Sequence, residues 1–307
     1  MFFLFKNIKI NIMKRYLLVL LIAFSIVGMG CEEMFQGQVL EIDLPEHEPI
    51  LTPYCFINDI DSTVSVVVQR SQAALEARDW SSPLYTITDA TVELYKNGTL
   101  WNTLPYDETI ASYQIQMNEA FSVEGHGDSY ELKVSAPTFE SVSGVQVMPN
   151  PVQITNATYA ANSLIDEFGE QLDKITVTFT DAPDEGNYYA LSVVAEEDWG
   201  SNELWLMNSL SDPNLTEGYR VILVSDELFN GNEFTINAGS YRNWGTTKLK
   251  LTLSSITKDE YFYRKSLQTY DDAQESLFPE PTLIHTNMSG GLGVFSMMAS
   301  SEFEIIL

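Results

Sequence analysis

The sequence predicts a mainly β protein. An N-terminal immunoglobulin-like β-sandwich is followed by a second β-unit carrying one C-terminal α-helix. Three observations give that class. Short runs of alternating or β-branched residues recur along the chain, turn residues separate them at close intervals, and one late segment has helical spacing.

In chain order, residues 1–30 read as a lipoprotein signal peptide. Lys6, Lys9, Lys14 and Arg15 precede an apolar run that begins at Tyr16, and Gly30 stands just before Cys31. A bilayer core needs about 20 apolar residues, and this run is shorter, as signal-peptide cores are. Cys31 is the expected lipidation site, and Met1 and Met13 are both plausible starts. A multiply acylated cysteine would hold the chain stably on a membrane. Residues 31–49 carry Glu32, Glu33, Glu41, Asp43, Glu46 and Glu48 with Pro45 and Pro49, which reads as an acidic tether.

The first β-unit spans residues 50–150. Thr63–Gln69 is β-branched, Thr91–Lys96 and Thr99–Leu104 alternate, and Asn97-Gly98 between them predicts a type I′ hairpin turn. Ser112–Met117 and Ser129–Ser135 continue the pattern. Pro149-Asn150-Pro151 is the expected boundary. The second unit, residues 151–307, has strands predicted at Lys174–Thr180, Asn187–Val194, Tyr219–Val224, Glu233–Ile236 and Thr247–Leu253. A helix is predicted over about residues 258–277. Thr257 and Glu260 have capping-box spacing, Tyr263, Leu267, Tyr270 and Leu277 form an apolar stripe, and Pro279 and Pro281 stop it.

Composition narrows the function. The leader holds four basic residues and no acidic one, so the exported part has 12 Lys and Arg against 43 Asp and Glu, a net charge near −31. Such a surface repels phosphate backbones and excludes nucleic acid as a partner. With Cys31 acylated, Cys55 has no disulfide partner and reads as a small buried hydrophobe. His47, His126 and His285 are the only histidines. No Gly-x-Ser-x-Gly elbow or His-Glu-x-x-His helix is present, and Pro49 breaks the one near match, His47-Glu48. The run Gly290-Gly-Leu-Gly293 has no Lys nearby and a strand after it, so it reads as a turn with close packing, not a phosphate loop. Asp181, Asp184, Glu185 and Asn187, and likewise Asn58, Asp59 and Asp61, have the hard oxygens calcium takes but not the spacing of a calcium loop; they read as solvated turns. No cofactor or metal is expected. Among the five tryptophans, Trp101 reads as core or half-buried, whereas Trp80 and Trp199 lie in polar stretches and are the candidate ligand-binding residues.

One set of signals falls in a recognisable order. Asp89–Leu94, Val224-Ser-Asp-Glu-Leu-Phe-Asn-Gly231, Asp259-Glu-Tyr-Phe-Tyr-Arg264, Pro279-Glu-Pro281 and Asn287-Met-Ser-Gly-Gly-Leu-Gly-Val-Phe295, together with the leader, resemble domain-of-unknown-function family 4249. The resemblance implies a lipoprotein of Gram-negative bacteria that depend on TonB-dependent outer-membrane receptors, and it brings no catalytic residue with it. Glu32-Glu33 also resembles the acidic export signal that sends such lipoproteins to the cell surface. The expected function is therefore a non-enzymatic outer-membrane or cell-surface lipoprotein accessory to TonB-dependent nutrient capture or uptake. A stand-alone glycan- or small-ligand-binding lipoprotein using Trp80 and Trp199 is the alternative, and a carboxylate-dependent hydrolase the third reading.

Overall fold

The structure is a computed structural model that describes residues 47–73, 85–117, 125–166, 168–183, 186–197, 200–208, 215–216, 220–241, 245–274 and 282–307. The expected signal peptide, Cys31 and most of the tether lie outside these residues. The described chain is mainly β, with a single α-helix near its C-terminal end.

The strands are β1 (Leu51–Asn58), β2 (Thr63–Arg70), β3 (Thr91–Lys96), β4 (Thr99–Leu104), β5 (Tyr106–Asp107), β6 (Ser112–Gln116), β7 (Ser129–Ser135) and β8 (Val142–Val147) in the first half. The second half contributes β9 (Ile154–Ile165), β10 (Gln171–Thr180), β11 (Tyr188–Glu197), β12 (Gly200–Glu203), β13 (Leu215–Thr216), β14 (Val221–Ser225), β15 (Glu233–Ser240) and β16 (Thr246–Ile256). Helix α1 (Lys258–Gln274) and β17 (Val294–Ile306) follow. The β3–β4 turn has the expected form, with φ of 50° at Asn97 and 77° at Gly98. Asn97 also anchors the turn to the next strand, its Oδ1 accepting from the Ser129 N–H at 3.0 Å.

These strands form one long sheet and two small ones. The long sheet runs β13-β14-β11-β16-β17-β1-β2-β6-β5, with β12 also on β11; the small sheets run β4-β3-β7-β8 and β15-β10-β9. Strand β17 joins the halves, pairing antiparallel with β16 and parallel with β1. Side chains alternate across a strand. Phe295, Met297 and Ala299 enter the first core with Val64, Val66, Leu94 and Leu132. Phe303 and Ile305 pack against the second core of Ile175, Val177, Leu191 and Leu251. All five β17 residues are odd-numbered, so both small sheets cover the same face of the long sheet. The opposite face carries α1, where Met298 packs against the cluster of Ile256 and Tyr261. Pro149-Asn150-Pro151 thus separates two hydrophobic cores, while β17 runs through both.

The start of α1 differs from the expected capping box. The Thr257 N–H is still in the sheet ladder, donating to the Met297 carbonyl at 3.3 Å, so it is not free for Glu260. Thr257 Oγ1 lies 3.4 Å from Ser296 Oγ, and Glu260 is paired through Oε1 with Arg264 Nε. Glu260 is fully buried, and its Oε2 has no hydrogen-bond partner among the described residues. Of the expected stripe, Tyr263 meets the Phe56 ring at 5.7 Å, whereas Leu277 and both stop prolines lie outside the described residues.

The glycine run forms the tight approach into β17. Asn287 bridges it, donating from Nδ2 to the Phe295 carbonyl at 2.7 Å and accepting from the Phe295 N–H at 2.9 Å. Gly293 has a φ of 104°, and a Cβ there would lie 2.1 Å from the Pro53 carbonyl oxygen. Only glycine lets the chain pass so close to β1. Cys55 is wholly buried in the first core, and burial pushes its thiol pKa well up.

Candidate functional site

Residues that follow the first core and residues around the start of β11 and the end of β16 line one recess. A cleft of about 500 Å³ opens there, within the ~300–1,000 Å³ usual for ligand clefts. One wall is β8 and the chain that follows it, Val145 to Asn150. The other is the approach to β11, Gly186 to Tyr189, and the end is closed by Ser255 to Asp259 at the β16–α1 junction.

The wall of Gly186 to Tyr189 is held by two buried carboxylates. Asp181 accepts from the Tyr189 hydroxyl and, at 2.8 Å, from the Gly231 N–H. Burial and this carboxylate push the Tyr189 phenol pKa well up. Asp226 accepts from the N–H groups of Gly186 at 3.1 Å and Asn187 at 2.9 Å. Both aspartates are nearly inaccessible. The expectation that Asp181 is a solvated turn residue is therefore corrected: an acidic turn residue folded inward satisfies backbone donors that water cannot reach. Asp184 and Glu185, the other members of that acidic group, lie outside the described residues. Asp59 is corrected for the same reason. It is buried, pairing with His126 Nε2 at 2.8 Å and accepting from the Ser300 N–H at 2.8 Å.

At the closed end, Asp259 gathers a small network. It accepts from Gln146 Nε2 at 2.6 Å and pairs with His285 Nε2 at 2.8 Å. Burial works to raise its pKa, but the hydrogen bonds from Gln146, His285 and Asn287 outweigh it and hold the carboxyl below the usual range. The Lys258 ammonium sits 5.8 Å from the Phe262 ring centroid, and that ring lies 5.9 Å from His285. Tyr188 lines the opposite wall, its phenol pKa raised by burial and by Glu227 and Asp226.

This network lacks the third member of a nucleophilic site. No described hydroxyl or thiol is bonded to the His285 ring; Ser266 Oγ instead donates to the Tyr263 carbonyl and accepts from the His285 backbone N–H. Asp181 and Asp226 are spent on backbone N–H groups and the Tyr189 hydroxyl, and Asp259 on Gln146 and His285. Asn187 donates from its side chain to the Ala182 carbonyl, which further fixes the wall it belongs to.

Cys31, Trp80 and Trp199 lie outside the described residues, as does Trp244. Trp101 packs half-buried against the first core, its ring edge-on to Tyr130 at 5.7 Å. Gln146, His285 and the Asp259 network went unseen, because they belong to three segments joined only by the fold. The available signal was the ordered motifs themselves. Asp226, Asp259 and Asn287, one from each of three, all act at or beside this cleft.

The profile of the family described as "Domain of unknown function (DUF4249)" matches residues 38–304. The comparison with curated proteins finds no match. Among solved structures, a Salmonella alpha-2-macroglobulin mutant is 11% identical with a TM-score of 0.23; the match covers 84% of this chain, which spans only 15% of that one. A structure of manganese lipoxygenase of Gaeumannomyces graminis with partial zonadhesin of Komagataella pastoris is 9% identical with a TM-score of 0.19, covering 83% of this chain and 93% of that one. Neither likeness carries an argument about fold or function.

Proposed function

The chain belongs to the DUF4249 family, and on that premise we propose that it is a non-enzymatic lipoprotein of the outer membrane, anchored through Cys31 and accessory to a TonB-dependent receptor in nutrient capture or uptake. The observation that carries this reading is the state of the cleft. Its aspartates are committed to bracing: Asp181 and Asp226 hold one wall, and Asp259 ties β8 to α1 through Gln146 and His285. A rigid, pre-formed recess with fixed polar groups suits binding, whereas an acid–base catalyst needs a group free to exchange a proton with substrate. The leader and Cys31 supply the address, and the excess of acid groups, 43 Asp and Glu against 16 Lys and Arg, suits a partner with basic surface.

The test is affinity purification of the lipidated protein from detergent-solubilised outer membranes. A TonB-dependent receptor is expected to co-purify, and mass spectrometry of the mature N-terminus is expected to show acylated Cys31. Recovery of the lipoprotein alone in several detergents, or turnover of a polysaccharide or peptide substrate, would overturn the reading.

A further inference from the structure

Strand β8 ends its sheet with one side open. In the β7–β8 ladder, Gln146 lies opposite Tyr130 and Gly144 opposite Leu132, while Val145 and Val147 lie opposite Glu131 and Ser129. Ser143 exchanges both backbone bonds with Ser289, N–H to carbonyl at 3.1 Å and the reverse at 2.7 Å. Its polar groups therefore point away from β7. Since backbone direction alternates with period two, those of Val145 and Val147 point the same way. Met148 confirms the alternation from the other side, donating to the Asp128 carbonyl at 3.0 Å. Beyond Ser289 the chain turns off into the glycine run, and no described residue pairs with the Val145 and Val147 backbones. Two N–H and two C=O groups thus face the cleft that both residues line.

The side chains at the same positions are also uncovered. Val145 is 56% exposed and Val147 52%, although both are β-branched residues on a strand. Proteins ordinarily blunt such an edge with charge, proline or a covering segment. Among the described residues, the chain covers it only at Ser143.

We propose that the open edge of β8 is a docking site for an extended, basic polypeptide segment of a partner, which adds as a further strand along the line that Ser289 begins. Main-chain bonds to Val145 and Val147 would hold the segment, and alternate apolar side chains would cover the two valines. The basic character follows from charge. The chain carries a net charge of −27, and the exposed Glu227 acts on Tyr188 of the cleft wall. An acidic segment would be repelled; a basic one would be drawn in. This inference rests on the binding reading above and specifies its surface.

The test uses the purified lipidated chain in detergent, with a labelled peptide of alternating Arg and Val as the probe. Controls are the same peptide N-methylated on alternate amides and a Glu-Val counterpart. On addition of the Arg-Val peptide, hydrogen exchange is expected to slow at the amides of Val145 and Val147, while Gln146, already paired within the sheet, is unchanged. Val147→Pro removes one cleft-facing donor at a position where the β7 ladder loses nothing. It is expected to weaken peptide binding by about tenfold, the equivalent of ~1.4 kcal/mol. Should that variant fail to fold, Val145→Lys, on an exposed side chain, places a positive charge against the incoming strand and is expected to have the same effect. Unchanged exchange at both valines with saturating peptide, equal binding of the N-methylated or Glu-Val peptide, or protection that appears with protein concentration alone would overturn the proposal. The last outcome would assign the edge to a second copy of the chain. If Val147→Pro and Val145→Lys still recover a receptor from membranes as wild type does, the docking site is wrong and the accessory function stands. If wild type recovers none, the accessory function fails.

Discussion

Replacing Gly293 by alanine tests whether the glycine run is there for packing. Two costs arise at once. Its φ of 104° lies where residues with a Cβ are strained, at about 1–3 kcal/mol. The new Cβ would also stand 2.1 Å from the Pro53 carbonyl oxygen and 3.0 Å from the Pro53 N and C atoms. All are backbone atoms of the buried strand β1, so nothing flexible can give way. Regaining ordinary contact needs a shift of roughly 1 Å in a strand paired on both sides, and overpacking of this kind costs about 1–3 kcal/mol. Together the loss is about 2–6 kcal/mol, or a fall in Tm of roughly 4–24 °C for a domain of this size. Gly98→Ala is the internal control. Its φ of 77° is also positive, but no atom lies within 4 Å of the added carbon, so only the backbone penalty of about 1–2 kcal/mol applies. Urea unfolding followed by tryptophan fluorescence, with the m-value checked for constancy, measures both. If Gly293→Ala costs no more than Gly98→Ala, the close approach to Pro53 is not what the run provides.

Three further outcomes are expected. Arg264→Met should destabilise the protein by about 2–4 kcal/mol, and by more than Glu260→Met, because it leaves the wholly buried Glu260 carboxylate without a partner while the reverse change strands only a partly solvated guanidinium; equal losses in urea melts would contradict this. Asp259 has a carboxyl held below the usual range, so its contribution is fully present above the ordinary pKa of about 3.9 and is lost as pH falls through the depressed value. Asp259→Asn should therefore lag wild type most at pH 7 and converge with it only as pH falls below the depressed value, and a gap independent of pH would refute the network. Cys55 should resist maleimide in the native protein and label fully in denaturant, because burial keeps its thiol protonated and out of reach; stoichiometric native labelling would place it outside the core.

Local order was legible in the sequence wherever a pattern carried its own physical cause. Thr91–Lys96, Thr99–Leu104 and the Asn97-Gly98 turn could be read because alternation and positive φ are set by neighbouring residues. Strand β8 was not read: Val142-Ser-Gly-Val-Gln-Val147 contains a glycine that discourages a strand, and Gly144 packs closely there, where an added Cβ would lie 2.8 Å from Met288 Sδ and 3.3 Å from Phe295 Cβ. Strand β9 was missed for a different reason. Most of Ile154–Ile165 is exposed or half-buried, so its sequence carries little apolar alternation. The capping box failed because Thr257 belongs to the sheet as well as the helix, and the sheet claims its N–H. The cleft could not be read at all, since Gln146 and Asp259 are 113 residues apart in the chain and meet only after both cores have formed.

The shared strand also sets an order of events. The first core takes Phe295, Met297 and Ala299 from β17, and the β1 turn is tied to it by the Ser300 N–H donating to Asp59 across 241 residues. Contacts so distant in sequence make folding slow. A chain emerging N-terminus first has therefore synthesised or translocated nearly all of its described length before either half can close. Until then the β1 edge that β17 will occupy stands open, an exposed strand with the hazards such edges carry. For the exported lipoprotein proposed above, late closure would be an advantage: the segment that would lock it prematurely is among the last of the described residues to arrive.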